Sequence, residues 1–208
     1  MIKLILFDMD DTLYPENAFV MSGFKAVSKF VASEFGVGRD IFFSFLKTSF
    51  DKNGRGSNFN DAIDEFGLDT NILPAMVQVY RRHSPDIHVR QDIKRFLLHL
   101  SQRFKLCLIT DGWVDVQKEK VKALGLEQLF HKILFSQKDG LEYAKPHPRF
   151  FEDALDYFGM LPEHAIIIGD DVNKDIAGGK NIGMKTFQVF DLLSISEQEQ
   201  ILKILDAT

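Results

Sequence analysis

The chain has 208 residues, of which 45% are hydrophobic, with a formal net charge of -5 and a pI near 5.7. The chain is acidic and has no dominant basic stripe, which excludes a generic nucleic-acid-binding protein. Cys107 is the only cysteine, which excludes an intramolecular disulfide and agrees with a reducing compartment. No apolar run approaches the roughly 20 residues that span a bilayer, and the N-terminal stretch does not fit a signal peptide. We therefore expect a cytoplasmic protein with one sizeable core, or a core and a smaller satellite.

The first predicted element is a short buried strand at 2–7, followed at once by carboxyl groups. The run is nearly all apolar, which is typical of a strand buried on both faces of a parallel sheet. Asp8 and Asp10 stand two apart, so in extended geometry both side chains lie on one face. Carboxylates ~5 Å apart repel by roughly 3 kcal/mol at an effective dielectric of about 20, so we expect a cation there or a raised pKa. Taken alone, the segment fits equally well a solvated, acid-rich turn that caps the next helix.

Residues 15–83 have the pattern of an all-helical unit. Apolar side chains recur at helical spacing over 20–35, and further apolar segments follow. The stretch 51–58 is typical of a flexible loop. Nine phenylalanines between positions 24 and 66 are most simply the core of this unit.

From residue 91 the pattern alternates between helix and strand. Amphipathic helical segments separate buried-strand runs, which lie at 105–110, 132–135, 165–168 and 185–190. Such alternation predicts βαβ units and a parallel sheet. We therefore predict an α/β fold, with a Rossmann-like parallel sheet core at 1–14 plus 84–208 that has helices on both faces. An all-helical cap, 15–83, is inserted after the first strand.

Polar residues that can carry chemistry follow the predicted core strands. They are Asp8 and Asp10 after the first strand, Thr110, Asp111 and Gly112 after the second, Lys145 in a loop before a helix, and Asp170, Asp171 and Asp175 after the fourth strand. Because the carboxyl ends of parallel strands share one edge of a sheet, we expect these residues to gather there. The acids can hold a hard divalent cation, while Thr110 and Lys145 can bind phosphoryl oxygens. The amides of Asp111 and Gly112, at a helix start, can add donors to the same anion. This set of groups suits phosphoryl transfer.

Four short motifs occur in a fixed order along nearly the whole chain. They are Asp8-Met-Asp10-Asp11-Thr12, Ile109-Thr110-Asp111-Gly112, Lys145-Pro146 and Gly169-Asp170-Asp171-Val-Asn-Lys-Asp175. Together they resemble the motifs of the haloacid dehalogenase (HAD) superfamily. The similarity is to its phosphatases with a helical cap after the first motif, and nearest to the nucleotidase-like members. Each motif alone is a weak signal, whereas the four together are a strong one.

The resemblance implies a role for the two acids of the first motif. Asp8 corresponds to the nucleophile that attacks phosphorus and forms an aspartyl-phosphate. Asp10 corresponds to the group that protonates the leaving alkoxide and then takes a proton from the hydrolytic water. Mg²⁺ would be bound by the Asp8 carboxylate, the Asp10 backbone carbonyl and Asp170.

The resemblance also bears on the acids around this site. Asp175 fits the second acid of the last motif, which supports the metal or Lys145, whereas the role of Asp171 stays open. Taken singly, Thr110 would also fit a helix N-cap, and Lys145 would also fit a solvated loop lysine.

The kind of reaction follows from Asp10. The dehalogenases of the superfamily lack an acid at this position, because a halide leaving group needs no proton and an alkoxide does. The run 80–85, with residues 11–14, resembles the house-cleaning and pyrimidine 5′-nucleotidases of the family. We therefore predict a Mg²⁺-dependent phosphatase for a small-molecule phosphate ester, with nucleoside 5′-monophosphates favoured. The alternative is a sugar-phosphate or phosphoglycolate phosphatase, and the loop around Arg55, Ser57 and Asn58 is a candidate specificity element.

Two other classes of protein remain open at this point. One is a phospho-accepting receiver domain, which also uses paired Asp, Thr and Lys around Mg²⁺, although the inserted helical segment and Asp10 weigh against it. The other is a catalytically silent binding protein on the same fold. For partners we expect no nucleic acid polymer and no membrane, and the chain is predicted to be a monomer or a homodimer.

Overall fold

The computed structural model describes residues 1–190 and 192–207 and divides the chain into two units. The first consists of Met1–Glu16 and Ile87–Thr208, and the second of Asn17–Asp86. In chain order the elements are β1 (Leu4–Phe7), α1 (Glu16–Phe35), α2 (Arg39–Asn53), α3 (Asn58–Glu65), α4 (Leu73–Arg82), α5 (Gln91–Ser101), β2 (Lys105–Thr110), α6 (Val114–Leu124), β3 (Lys132–Phe135), α7 (Arg149–Phe158), β4 (Ala165–Gly169), α8 (Ala177–Asn181), β5 (Lys185–Gln188) and α9 (Ile195–Asp206). Short 3₁₀ turns precede α4, α7 and β4, and a π-helical turn precedes α8.

Five parallel strands form the sheet of the first unit, in the order β3-β2-β1-β4-β5. β1 is central, with Leu4 in register with Lys105 of β2 on one side and with Ala165 of β4 on the other. All four residues of β1 are fully buried, although successive side chains point to opposite faces. A strand covered on both faces needs no polar alternation, which explains the continuous apolar run in the sequence. The predicted Rossmann-like α/β sheet is confirmed.

The two faces of this sheet have different neighbours. On one face, side chains of three strands and of α7 form an apolar cluster that includes Leu4, Leu6, Cys107, Ile109, Phe151, Ala154, Leu155, Ala165 and Ile167. On the other face, the Phe7 and Phe130 rings meet edge to face, with centroids 5.9 Å apart. Each fully buried side chain of this size contributes about 1.5–3 kcal/mol. This packing holds the carboxyl ends of β1, β2 and β4 side by side, where the polar residues follow.

The second unit is all-helical and has its own apolar core. Its fully or nearly fully buried residues are Val20, Phe24, Val27, Val31, Phe42, Leu46, Ala62, Ile63, Ile72 and Met76. Of the nine phenylalanines predicted to form this core, Phe24 and Phe42 are buried, and most of the others pack partly buried against it. Phe35, the last residue of α1, is 42% exposed, and its ring meets that of Phe30 edge to face, with centroids 6.1 Å apart. No helix here, or elsewhere in the part of the chain that the structure describes, is long and apolar enough to cross a membrane.

Some predicted boundaries differ from those of the structure, and the first strand, predicted from residue 2, begins at Leu4. The strand predicted at 185–190 ends at Gln188, where the edge strand β5 loses its partner in β4. The helical segment between β4 and β5 begins as the π-helical turn Val172–Ile176 and becomes α-helical only at Ala177. The wider turn places Asp175 back toward the sheet, where the site lies.

Candidate active site

The Asp8 side chain, at the end of β1, lies in a buried cluster with a lysine and a second aspartate. The Lys145 ammonium contacts Asp8 Oδ1 and lies 2.7 Å from Asp175 Oδ1. It also donates to the carbonyl oxygen of Ile109 in β2, at 3.3 Å. The exposed fractions of the Asp8, Lys145 and Asp175 side chains are 9%, 3% and 1%. The structure therefore brings together the predicted nucleophile, the predicted phosphate-binding lysine and the last acid of the fourth motif.

The protonation equilibria of this cluster are shifted by burial and by its charges. Burial raises the pKa of the Asp8 carboxyl well above its ordinary value, although the Lys145 ammonium lowers it. Burial by itself would lower the pKa of that lysine, but attraction to the surrounding carboxylates outweighs it and raises the pKa. Burial also raises the pKa of Asp170, as does the charge of Asp175. Burial is the largest cause of the raised pKa of Asp8 and of Asp170, and the neighbouring carboxylates add to it.

Three of these carboxyl groups are spaced as the ligands of a cation would be. Asp8, Asp170 and Asp175 each offer one oxygen, and these atoms lie within 4.8 Å of one another. At that separation each pair of carboxylates repels by about 3 kcal/mol at an effective dielectric of about 20. Carboxylate oxygens suit Mg²⁺, which is usually bound by one or two carboxylates together with water and phosphate oxygens, so two of these three acids would suffice. The Asp10 carboxyl group is not part of this cluster, and the metal ligand predicted at Asp10 is its backbone carbonyl oxygen.

The Asp10 carboxyl group is instead held by three donors of the same unit. The Tyr14 hydroxyl donates to Oδ1 at 2.5 Å, and Gln117 Nε2 donates to Oδ2 at 3.1 Å. Lys120 Nζ reaches both oxygens, at 2.8 and 3.0 Å, and lies 3.7 Å from Glu16 Oε1. Burial and the neighbouring Asp10 charge keep the pKa of the tyrosine above its ordinary value, so that its hydroxyl remains a donor. Each of the two carboxylate oxygens therefore accepts two hydrogen bonds.

The second motif closes one side of the site through α6. Thr110 is buried at the end of β2, and its Oγ1 accepts a hydrogen bond from Gln117 Nε2 at 3.0 Å. Gly112 has a φ of 127°, in the region that favours glycine, and a Cβ there would lie 2.9 Å from the same nitrogen. The motif thus needs glycine both for its backbone turn and for the space that Gln117 fills.

The Asp111 side chain supports the loop that carries Lys145. Its Oδ1 accepts hydrogen bonds from Ser136 Oγ and from the Lys145 backbone nitrogen, the latter at 3.2 Å. Its carbonyl oxygen accepts from the Gln117 amide. The structure therefore gives the Asp111 carboxyl group a part in placing the lysine, beside the phosphate contact predicted for its backbone amide.

The remaining acids of the motifs have local partners. Asp171 Oδ1 accepts hydrogen bonds from the backbone nitrogens of Asn173 and Lys174, at 2.8 and 3.2 Å, and so caps the π-helical turn. The backbone nitrogen of Asp171 donates to Asp175 Oδ2 at 3.2 Å. Asp171, whose role the sequence left open, thus orders the turn that presents Asp175. Asp11 has a φ of 54° and accepts a hydrogen bond from the Glu16 backbone nitrogen at the start of α1.

Three polar residues of the site were missed in the sequence. Gln117 and Lys120 lie on α6, 2% and 3% exposed, and Ser136 follows β3 and is fully buried. The signal for the first pair was their i, i+3 spacing on the helix that follows the second motif. Periodicity alone cannot show whether a glutamine or lysine on an amphipathic helix is buried or lies on the solvated face. Ser136 had no sequence signal.

The buried acid-rich site lies at the carboxyl edge of a parallel, Rossmann-like α/β sheet, the edge where ligands of such folds bind. Residues 5–189 match the family model described as haloacid dehalogenase-like hydrolase. The chain belongs to this family, as the four motifs predicted.

Similar proteins and structures agree with this assignment. The chain is 32% identical over 201 residues to a glyceraldehyde 3-phosphate phosphatase of Methanocaldococcus jannaschii, with 91% of this chain and 85% of that protein covered. It is 30% identical over 199 residues to the glyceraldehyde 3-phosphate phosphatase of Methanopyrus kandleri, with 91% and 84% covered. The fold matches that of the HAD-hydrolase YfnB from Bacillus subtilis with a TM-score of 0.69 and 20% identity, over 99% of each chain. The prediction of an enzyme of the phosphoric monoester hydrolase type is confirmed at the level of family and relatives.

Proposed function

We propose that this hydrolase removes the phosphoryl group of a small phosphorylated sugar through an aspartyl-phosphate on Asp8. The observation that carries the proposal is the placement of the Asp8 carboxyl group. It is buried against Lys145 and next to Asp170 and Asp175, at the edge of the sheet where ligands of such folds bind. Asp10 follows two residues later, within the same unit.

The proposed reaction has two steps. In the first, an Asp8 oxygen attacks phosphorus, the bond from phosphorus to the ester oxygen breaks, and Asp10 gives its proton to the departing alkoxide. In the second, water attacks phosphorus, its proton passes to Asp10, and the bond to the Asp8 oxygen breaks. Inorganic phosphate leaves, and both aspartates return to their starting states.

The residues near Asp8 suit the binding of the phosphoryl group. The Lys145 ammonium already contacts the attacking carboxylate and can also donate to a phosphoryl oxygen. The Thr110 hydroxyl and the amides of Asp111 and Gly112, at the end of β2, are proposed as further donors. Asp8, Asp170 and the backbone carbonyl of Asp10 are proposed to hold Mg²⁺, whose charge, when bound, offsets that of the phosphoryl oxygens.

The substrate class is where the comparisons change the prediction. The curated relatives reported above are named for glyceraldehyde 3-phosphate and cover most of this chain. They favour the alternative, a sugar phosphate, over the nucleoside 5′-monophosphate that the short run at 80–85 suggested. That run lies in the helical unit, where His83 contacts the Tyr80 carbonyl oxygen and Ser22 Oγ. These contacts join His83 to helices α1 and α4 of the unit.

The helical unit, 17–86, is proposed as the cap that selects the leaving group. It contains a cavity of about 210 Å³, lined by Val20, Phe24, Phe50, Arg55, Gly56, Asn58, Phe59 and Tyr80. Arg55 and Asn58 belong to the loop predicted to determine specificity. We propose that this loop shapes the choice among small phosphate esters, in a cytoplasmic enzyme that is a monomer or a homodimer.

A panel of phosphate esters tests the proposal. It should contain glyceraldehyde 3-phosphate, a pyrimidine 5′-monophosphate and phosphoglycolate, each with MgCl₂ and with EDTA. We expect the highest kcat/KM for the sugar phosphate, loss of activity in EDTA and loss in Asp8→Asn. The exposed Asp156→Asn is the matched control and should retain activity. Release of phosphate from no ester would contradict the function, whereas preference for the nucleotide would contradict only the substrate class.

A further inference from the structure

The side chains around Asp10 hold its carboxyl group in one orientation. Lys120 Nζ bridges both carboxylate oxygens, and Tyr14 and Gln117 each add a donor to one of them. Rotation of the carboxyl group would break at least two of these contacts. Fixing the position of a group that transfers a proton to or from the reacting atoms increases the rate of the reaction.

Gln117 is fixed in its turn by the second motif. Its Nε2 atom faces Asp10 Oδ2, the Thr110 hydroxyl and the Asp111 carbonyl oxygen. Two of these three neighbours can only accept hydrogen bonds, so the nitrogen, and not the oxygen, must point toward them. The Gln117 amide thereby links the predicted acid–base residue to the turn predicted to bind phosphate.

This arrangement leaves an unfavourable feature in the fold. The Gln117 Oε1 atom is the one buried side-chain nitrogen or oxygen without a hydrogen-bond partner among residues 1–190 and 192–207. A buried acceptor without a partner destabilises a protein. An apolar residue at position 117 would remove that loss, so packing alone does not explain glutamine here.

We propose that Lys120 and Gln117 are positioning residues that hold Asp10 for the hydrolysis of the aspartyl-phosphate. The inference rests on the proposed function. The four hydrogen bonds fix both oxygens of the group that is proposed to take a proton from water. In that step water oxygen bonds to phosphorus, its proton goes to Asp10, and the bond from phosphorus to Asp8 breaks.

An aryl phosphate separates this step from the first. With p-nitrophenyl phosphate, the phenolate leaves without a proton, so formation of the aspartyl-phosphate does not need Asp10. In Lys120→Met we expect a burst of close to one phenolate per chain. The steady-state rate should then fall at least tenfold, since acid–base catalysis contributes about 10²–10⁴-fold. The exposed Lys122→Met, on the same helix, should match the wild type in both amplitude and rate.

Gln117→Met is the second variant, because Lys120 is buried and its loss could impair folding. We expect the same burst and slow steady state, with a cooperative urea unfolding transition that shows the variant to be folded. A residue needed only for structure would instead lose burst amplitude and steady-state rate in proportion. A proportional loss of burst amplitude and steady-state rate in both variants would overturn the positioning role of Lys120 and Gln117. An unchanged steady-state rate would overturn it as well, and neither result would affect the proposed function. Absence of wild-type turnover for every ester overturns the proposed function as well.

Discussion

Gly169 passes so close to Asp175 that a methyl group on its Cα would lie 2.4 Å from the Asp175 carboxyl group. The glycine ends β4, and the aspartate lies in the π-helical turn that follows. Asp175, which pairs with Lys145, can therefore occupy its position only because residue 169 has no side chain.

Substitution of this glycine tests that placement. In Gly169→Ala, the new methyl group must displace Asp175, and the pair with Lys145 separates. We expect activity to fall by about 10²-fold, the loss that a displacement of about 1 Å in an active site can cause, and stability to fall by about 1–3 kcal/mol from overpacking. Gly38→Ala, at the start of α2 in the other unit, is the control for a general effect of alanine. Equal kcat in the two variants would show that the close approach has no role.

Metal binding should be visible in stability, apart from activity. Mg²⁺ that binds only the folded chain should stabilise it by about 2.7 kcal/mol at a hundredfold excess over Kd. We expect MgCl₂ to raise the Tm of the wild type and EDTA to reverse the change. Asp170→Asn removes one carboxylate of the cluster and should lose most of the rise, while the exposed Asp156→Asn keeps it. The same rise in both variants would place the metal elsewhere.

His83 should make the stability of the chain depend on pH. Burial lowers the pKa of its imidazole below the usual 6.5, although its hydrogen bond to the Tyr80 carbonyl oxygen opposes this shift. Between the lowered folded pKa and 6.5 the unfolded chain binds more protons, so stability falls as the pH drops through that window. Urea unfolding at pH 7.5 and 5.5 should show a smaller loss in His83→Gln than in the wild type. The exposed His88→Gln should behave like the wild type, and a wild-type loss no larger than that of His83→Gln would contradict the shift.

Cys107 should react as a buried thiol. It is fully buried in β2, and burial raises its pKa to about 12, with a small opposing effect of Lys132. At pH 8 the thiolate fraction is then lower by roughly a thousandfold than for an exposed thiol. We expect no appreciable reaction of the native chain with Ellman's reagent and one thiol per chain in urea. Rapid reaction without denaturant would mean that β2 opens readily.

Much of the fold could be predicted because it depends on local patterns. The continuous apolar run of β1 is sufficient to predict a strand covered on both faces, and Gly125, in the left-handed conformation, ends α6 where the periodicity stops. The short motifs stand at strand ends, so a parallel sheet is enough to bring Asp8 and Asp170 to one edge. The bounds of β5 were less well predicted, since its length depends on pairing with β4.

The sequence by itself determined that a sheet of parallel strands would carry acids, a hydroxyl and a lysine at one edge. Only the tertiary structure decided which of these groups touch. Asp10 meets Lys120 across 110 positions of the chain, and Lys145 meets Asp8 across 137. Such contacts depend on the register of strands and on how α6 is set against the sheet, to a fraction of an ångström. Periodicity specifies which face of an element is buried, but not which polar side chain on that face finds a partner.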